Sequence, residues 1–416
     1  MKIIVSQIGA REHFAAARAL FQQGMLAGLV TDWYAPESGF ARKSLDVLGK
    51  RTAASALGAE CREIPRGMVH SFPVRSLIWK WRINRLAARG RLYDAYTETD
   101  RAFATAVSRC NLPPHNVFFG YSYASLETLA AEKKRGVLTV LDQIDPGAVE
   151  FRLVAEEMQR HPELAGLPEP FPSGHYDRAR REWDLADVIV VNSAWSREAV
   201  IAEGGDPAKI EILPLGFEAG ERPRSSGLQP RRSGPLQVLW LGQVNVRKGI
   251  HYLLEAARLL KNEAIEFKVA GPVGIRRSAV DAAPKNVRWL GRIPRSEAAA
   301  LYDQSDVFVL PTLSDGFAIT QLEALAHGLP VITTPNCGRI VEDGITGFII
   351  PVREPQALVE ALLRFLRDPG LAREMAPGCR EAVKAYSINN YGQNLVKIID
   401  RHRKKRFTFN EACAFG

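Results

Sequence analysis

Short apolar runs alternate along the chain with longer stretches in which apolar positions recur every three or four residues. Lys2–Val5, Asn116–Phe119, Leu138–Leu141 and Val188–Val191 read as buried strands, with Glu12–Gln23 (closed by Gly24) and Ser125–Lys134 as helices between them. The pattern stops over Ala219–Pro235, AGERPRSSGLQPRRSGP, whose Gly, Pro, Ser and Arg suit a linker. It restarts at Leu236–Leu241 and continues through Glu266–Ala270, Val287–Leu290, Val307–Leu310, Pro330–Thr333 and Gly347–Ile350. Strand–helix alternation of this kind predicts α/β domains built on parallel sheets covered on both faces. The expected division is a first domain over 1–218, a linker over 219–235 and a second domain over 236–385. A C-terminal helix with a basic tail, 386–416, is expected to return to the first domain.

With 416 residues the chain is too long for one hydrophobic core, so two domains agree with size as well as pattern. Its 46% hydrophobic and 24% charged residues exclude a disordered chain. The net charge of +9 favours anionic partners such as phosphates or an acidic membrane surface. No recognition motif accompanies that charge, so nucleic acid is not expected. Five scattered cysteines (Cys61, Cys110, Cys337, Cys379, Cys413) form no CxxC pair, which fits a reducing compartment. The N-terminal apolar run is too short for a signal peptide, and nothing approaches the roughly 20 apolar residues of a membrane span. A cytoplasmic protein is expected, soluble or resting on the inner face of the plasma membrane.

Ligands of open parallel sheets bind beyond the carboxyl ends of the strands. That points to Gly9–Ala10, Gly242, Gly271–Pro272 and Asp315–Phe317. In VLWLGQVNVRKGIHYLLEAARLL, Val238–Leu260, Gly242 opens a loop and Arg247 and Lys248 precede a helix starting near Gly249. Adjacent cations at a helix start make an anion site suited to a diphosphate; the competing reading is an exposed basic loop. In SDGFAITQLEALAHGLPVITTPNCG, Ser314–Gly338, Asp315 and Glu323 flank a second loop-to-helix junction, where backbone N–H groups would face a ligand. TQLE, Thr320–Glu323, is also a capping box by sequence, and Asp315 could be a solvated loop acid.

The same stretch resembles the acid-x7-acid signature of retaining glycosyltransferases of the GT-B fold, family 4 (glycosyl transferases group 1). LGQVNVRKGIHYLLEAA is similar to that family's phosphate loop. GRIPRSEAAALYDQSDVFVLPT, EDGITGFIIP and ADVIVVNSAWSREAVIAEGGDPAKIEILPLGFE match its other segments in order, so the resemblance covers roughly 183–352. It implies two Rossmann-like domains with parallel sheets facing across a cleft, and transfer of a sugar from a nucleoside diphosphate sugar, UDP- or GDP-linked, to an acceptor hydroxyl with retention. It also implies that Arg247 and Lys248 bind the diphosphate, Glu323 the ribose hydroxyls and Asp315 the sugar, with Asp315, Lys248 and Arg247 as the catalytic set. The N–H groups of Phe317, Ala318, Ile319 and Thr320, beside Gly316, would meet phosphates and sugar, and Arg292 and Ile293 would line the base. No metal or other cofactor is implied.

The chain departs from the family in three places. Gln243 stands where many relatives have an arginine, Asp315 where they have glutamate, and Leu141 where they have histidine. On the acceptor side, Gly9, Ala10, His13, Asp142 and Asp145 lie in strand-end loops and could face the cleft. His175 has no metal-ligand spacing and reads as structural or solvated. An epimerase of the same fold and a non-catalytic nucleotide-sugar-binding protein are the rival readings. The acceptor would be a sugar or glycolipid of polysaccharide or cell-envelope synthesis. Ile64–Tyr93 holds seven Lys or Arg and no acid, with Trp79 and Trp81 in a helical pattern. Either its apolar face (Leu77, Ile78, Trp81) packs in the core, or the segment rests on an anionic membrane.

Overall fold

In the computed structural model, residues 1–35, 60–166, 169–218 and 234–414 are described, without the side chains of 295–296 and 407–414. Most of the expected linker, 219–233, lies outside them.

The first sheet contains β1 (Ile3–Gln7), β2 (Leu26–Thr31), β3 (Val69–Ser71), β4 (Val117–Tyr121), β5 (Leu138–Gln143), β6 (Val188–Val191) and β7 (Ile210–Ile212). The second contains β8 (Leu236–Leu241), β9 (Ile265–Ala270), β10 (Val287–Gly291), β11 (Val307–Leu310), β12 (Val331–Thr333) and β13 (Gly347–Ile349). Every pairing is parallel, in the orders β3-β2-β1-β4-β5-β6-β7 and β10-β9-β8-β11-β12-β13. β1, β4, β5, β6 and β11 are buried at every residue, because helices cover both sheet faces. This is the GT-B arrangement of two doubly wound domains. The winding direction reverses between β1 and β4 and again between β8 and β11, and a doubly wound sheet opens its ligand crevice at such a reversal.

Two corrections concern local structure. The helix expected over Glu12–Gln23 begins only at Ala15; before it a 3-10 turn, Arg11–His13, runs into left-handed backbone at Glu12 (φ 44°), His13 (52°) and Phe14 (60°). Non-glycine residues adopt that conformation at a cost, so the loop after β1 is strained. Leu141, the substituted position, is a core residue, fully buried in the cluster with Ile4, Phe118 and Ile189.

The chain passes between the domains twice, and the two crossings lie side by side: Phe217 N–H donates to Tyr386 O at 2.6 Å. After the second crossing the helix Ile388–Ala414 packs Tyr391, Leu395, Ile398 and Ile399 into the first domain's core beside Leu20. Burying such a side chain is worth about 1.5–3 kcal/mol, so this helix belongs energetically to the first domain. No helix among the described residues is long and apolar enough to cross a membrane.

Candidate active site

The loop after β8 is held in place from below. Arg247 O accepts from Leu313 N (2.9 Å) and Thr312 Oγ1 (3.0 Å), tying the loop to the one after β11. Asn245 Oδ1 accepts from Lys248 N at 3.0 Å. Gly249 then turns the chain into the helix Ile250–Leu259 with φ 73°, where a Cβ would overlap the Pro311 carbonyl. Only glycine meets both requirements. Arg247 and Lys248 are thereby aimed at the reversal point between β8 and β11.

Asp315 meets them there. Its Oδ1 accepts from Phe317 N (3.2 Å) and Ala318 N (3.1 Å), and its Oδ2 pairs with Lys248 Nζ and lies 3.4 Å from Arg247 Nη1. Burial pulls its pKa up, but Lys248 and then Arg247 outweigh that and hold the carboxyl below the ordinary aspartate range. The acid thus neutralises the cationic corner, because the β11 loop brings one oxygen to both cations. The N–H groups of Phe317 and Ala318, expected to face a ligand, are likewise engaged by Asp315.

The capping box over Thr320–Glu323 does not form. Ile319 is the N-cap of the helix Thr320–Ala326 and no side chain caps it. Glu323 instead accepts from Tyr302 Oη at 2.8 Å and is part-exposed. Arg292 is exposed and Ile293 part-exposed just beyond β10, at the sheet's edge, while Gly242 ends β8 with Gln243 exposed beside it.

The first domain faces this corner across the cleft. Gly316 lies so near Asn192 and the Ile144 carbonyl that a Cβ would sit 2.8 Å from Asn192 Nδ2 and 3.0 Å from Ile144 O. Glu150, on the helix Ala148–Arg160, accepts from Ser314 Oγ at 2.8 Å and stands 3.5 Å from Arg247 Nη1. Trp195 Nε1 donates to the same Ser314 Oγ at 2.9 Å. Burial raises the pKa of Glu150 most, Arg247 works against it, and the charges of Asp145 and Asp315 add to it. The carboxyl is pushed up to about 7. Sequence reading missed Glu150: it sits in no motif, and only the facing of the two domains gives it a role.

Beside Arg247 a cavity of about 840 Å³ opens into the first domain. Six aromatic side chains, Tyr93, Tyr96, Tyr121, Tyr123, Phe151 and Tyr176, stand in its walls, with Arg11, Asp100, Asp145 and Glu150 among the polar groups. Asp145 is fixed there by Tyr123 Oη (2.8 Å) and Gly147 N (3.0 Å). Gly9, Ala10, His13 and Asp142 are not in this lining. Gly9 N–H donates to Asp32 Oδ1 (2.7 Å), Ala10 precedes the strained turn, and His13 is exposed. Asp142 is buried, and that burial, with Glu12 adding, pushes its pKa to about 8. His175 is structural: buried, stacked on Tyr123 with centroids 4.2 Å apart, its pKa lowered to about 4 by desolvation.

Helix Pro73–Ala87 borders this cavity at Ile83 and buries Ser76 and Trp79. Its opposite side exposes Val74 (71%), Leu77 (52%), Ile78 (53%) and Trp81 (58%). The reading that Leu77, Ile78 and Trp81 pack in the core is therefore overturned: Trp79, against Phe72 and Phe103, holds that place.

Residues 235–368 match the family model for glycosyl transferases group 1. The putative colanic acid biosynthesis glycosyltransferase WcaL of Salmonella typhimurium is 28% identical over 207 residues, 46% of this chain and 50% of the relative. The D-inositol 3-phosphate glycosyltransferase of Salinispora arenicola is 26% identical over 269 residues, 58% and 60% of the two chains. The chain thus spans about half the length of the curated relatives it matches. Anabaena HepE in complex with UDP superposes with a TM-score of 0.60 at 15% identity, over 96% of this chain and 100% of that one. Residues 235–368 are thus similar to the group 1 glycosyl transferases, within a chain that has the two-domain GT-B fold.

Proposed function

We propose that the protein is a retaining glycosyltransferase that moves a sugar from a UDP- or GDP-sugar to an acceptor hydroxyl. The carrying observation is the convergence of Arg247, Lys248 and Asp315 at the β8/β11 reversal, facing a large aromatic cavity across the cleft. The cations suit a diphosphate, which would compete with Asp315 for Lys248 and free that carboxylate for sugar hydroxyls. Glu323 and Tyr302 suit the ribose, and Arg292 and Ile293 the base. Aromatic walls with a few acids are what a sugar acceptor requires, apolar ring faces with hydroxyl acceptors at the edges. Asp315, held by the N–H groups of Phe317 and Ala318, is a poor nucleophile. Attack on the face the diphosphate leaves is therefore favoured, with Arg247 and Lys248 stabilising the leaving group and its own oxygen taking the acceptor proton. Relatives named for colanic acid and amylovoran synthesis support glycan assembly as the setting. The test is a calorimetric screen of UDP- and GDP-sugars. Glu323→Gln is expected to weaken the donor that binds by about tenfold or more, roughly one lost charge-assisted hydrogen bond. Unchanged affinity in a folded variant removes the ribose role.

The same reading seats the first domain on an anionic membrane and makes the acceptor a lipid-linked sugar. Val74, Leu77, Ile78 and Trp81 form one exposed stripe; Arg75 and Arg82 flank it on one side and Lys80 on the other, and Arg85 lies over the Trp81 ring (5.2 Å to its centroid). Apolar side chains beside cations fit an interface where each basic residue adds about 1 kcal/mol. The protein is expected to co-sediment with anionic vesicles and not neutral ones, and to be released by salt. Changing Lys80, Arg82 and Arg85 to Gln is expected to abolish this and leave donor binding intact. Indifference to anionic vesicles at low salt excludes the membrane role.

A further inference from the structure

Far along the same cleft a second group of side chains meets from both domains. Glu157, near the end of helix Ala148–Arg160, and His161, which caps it, belong to the first domain; His251 belongs to the second-domain helix Ile250–Leu259. One ligand atom from each lies within 4.8 Å of the others. Glu157 Oε1 is 3.2 Å from His251 Nε2 and 3.4 Å from His161 Nε2.

Two of the three separations match the edges of a metal site, and the two imidazoles offer ligand atoms within 4.8 Å of each other. Bonds of about 2.0–2.1 Å, as zinc makes to nitrogen and oxygen, give a tetrahedron with edges of about 3.3–3.4 Å. The surroundings are arranged as for ligands. Glu163 Oε1 stands 3.2 Å from His161 Nδ1, so an Nδ1–H would donate there and leave the Nε2 lone pair toward the cluster. Glu157 is fixed by Tyr252 Oη at 2.5 Å and by Arg353 Nε at 2.8 Å, both second-domain groups. His161 has a carboxylate oxygen near each ring nitrogen. A cavity of about 310 Å³, lined by His161, Glu163, His251 and Glu255 among others, gives an ion a way in.

We propose that Glu157, His161 and His251 bind a divalent transition-metal ion, zinc by their imidazole and carboxylate donors, and that this ion clips the two domains together away from the sugar-transfer chemistry. Sequence spacing did not reveal the site, because Glu157 and His251 are 94 residues apart and meet only when the domains close.

The test is titration of the chelator-treated full chain with Co2+, read as the visible band of four-coordinate cobalt, and with Zn2+ against a colour indicator. One equivalent is expected to bind, Zn2+ displacing Co2+, with a rise in melting temperature at stoichiometric Zn2+. His161→Gln changes a part-exposed ring and should fold; it and His251→Gln are expected to weaken binding at least about 10- to 100-fold. The exposed His70→Gln should bind as the unaltered chain. Absence of binding at about 100 µM metal, corresponding to a free energy of only about 5.5 kcal/mol, overturns the proposal. Equal binding by all variants overturns it too.

Discussion

Replacing Lys248 with alanine is expected to weaken binding of a nucleoside diphosphate by about 10- to 100-fold while leaving the nucleoside alone nearly unaffected. A hydrogen bond to a charged group is worth about 1.5–3 kcal/mol, and each 1.4 kcal/mol is tenfold in affinity. The side chain also neutralises Asp315, and both side chains of that pair are only 13% exposed. Breaking a buried pair from one side costs about 3–5 kcal/mol; the lower end applies here, because Arg247 stays 3.4 Å from the same oxygen. Lys248→Ala should therefore lose stability as well as affinity. The two losses separate in the double variant: adding Asp315→Asn should restore most of the melting temperature and only part of the diphosphate affinity, because it frees Arg247 without replacing the Lys248 ammonium. Calorimetry with UDP, GDP and their nucleosides checks this, and equal losses for nucleoside and diphosphate would show a collapsed loop instead.

Donor affinity is also expected to fall by about tenfold between pH 6 and pH 8, and Glu150→Gln should remove that dependence. Glu150 has its pKa pushed up to about 7 by burial and faces Arg247 and Asp315. Below that value it is neutral and leaves Arg247 to the diphosphate. Above it, a carboxylate competes for Arg247 and repels the donor; two unit charges about 8 Å apart at an effective dielectric constant of 20 interact by about 2 kcal/mol. The sign for stability is the same: the folded pKa is raised, so the contribution is complete at low pH and lost as pH rises through about 7. A nucleotide sugar is the right probe, since its diphosphate does not titrate in this window. An affinity that is flat in pH, or a slope unchanged in Glu150→Gln, would contradict this role.

The central strands of both sheets other than β2 were legible because fully buried parallel strands read as continuous apolar runs; in β2, LAGLVT, Gly28 interrupts that run. β3 and β7 were not, since each is a three-residue edge strand with a part-exposed pattern, V-H-S and I-E-I, that carries no run to detect. The loop after β8 was legible because a glycine at a strand end followed by adjacent cations needs only local chemistry. Glu323 shows the limit of that reasoning. T-x-x-E permits a cap, yet the helix starts one residue earlier than the motif requires, and Tyr302, from the preceding helix, takes the carboxylate. Glu150 and the Glu157–His161–His251 group were beyond reach because their partners come from the other domain. For helix Pro73–Ala87 the sequence showed that it is amphipathic and could not say which stripe faces in; the core chose Trp79 and left Trp81 outside.

The most direct measurement is the anomeric configuration of the sugar transferred from the donor that binds, followed by NMR with short-chain lipid-linked and free sugar acceptors. The expected result is release of nucleoside diphosphate, dependent on Lys248, and a product keeping the donor's anomeric configuration. An inverted product, or a folded protein that binds no nucleoside diphosphate sugar, would contradict it.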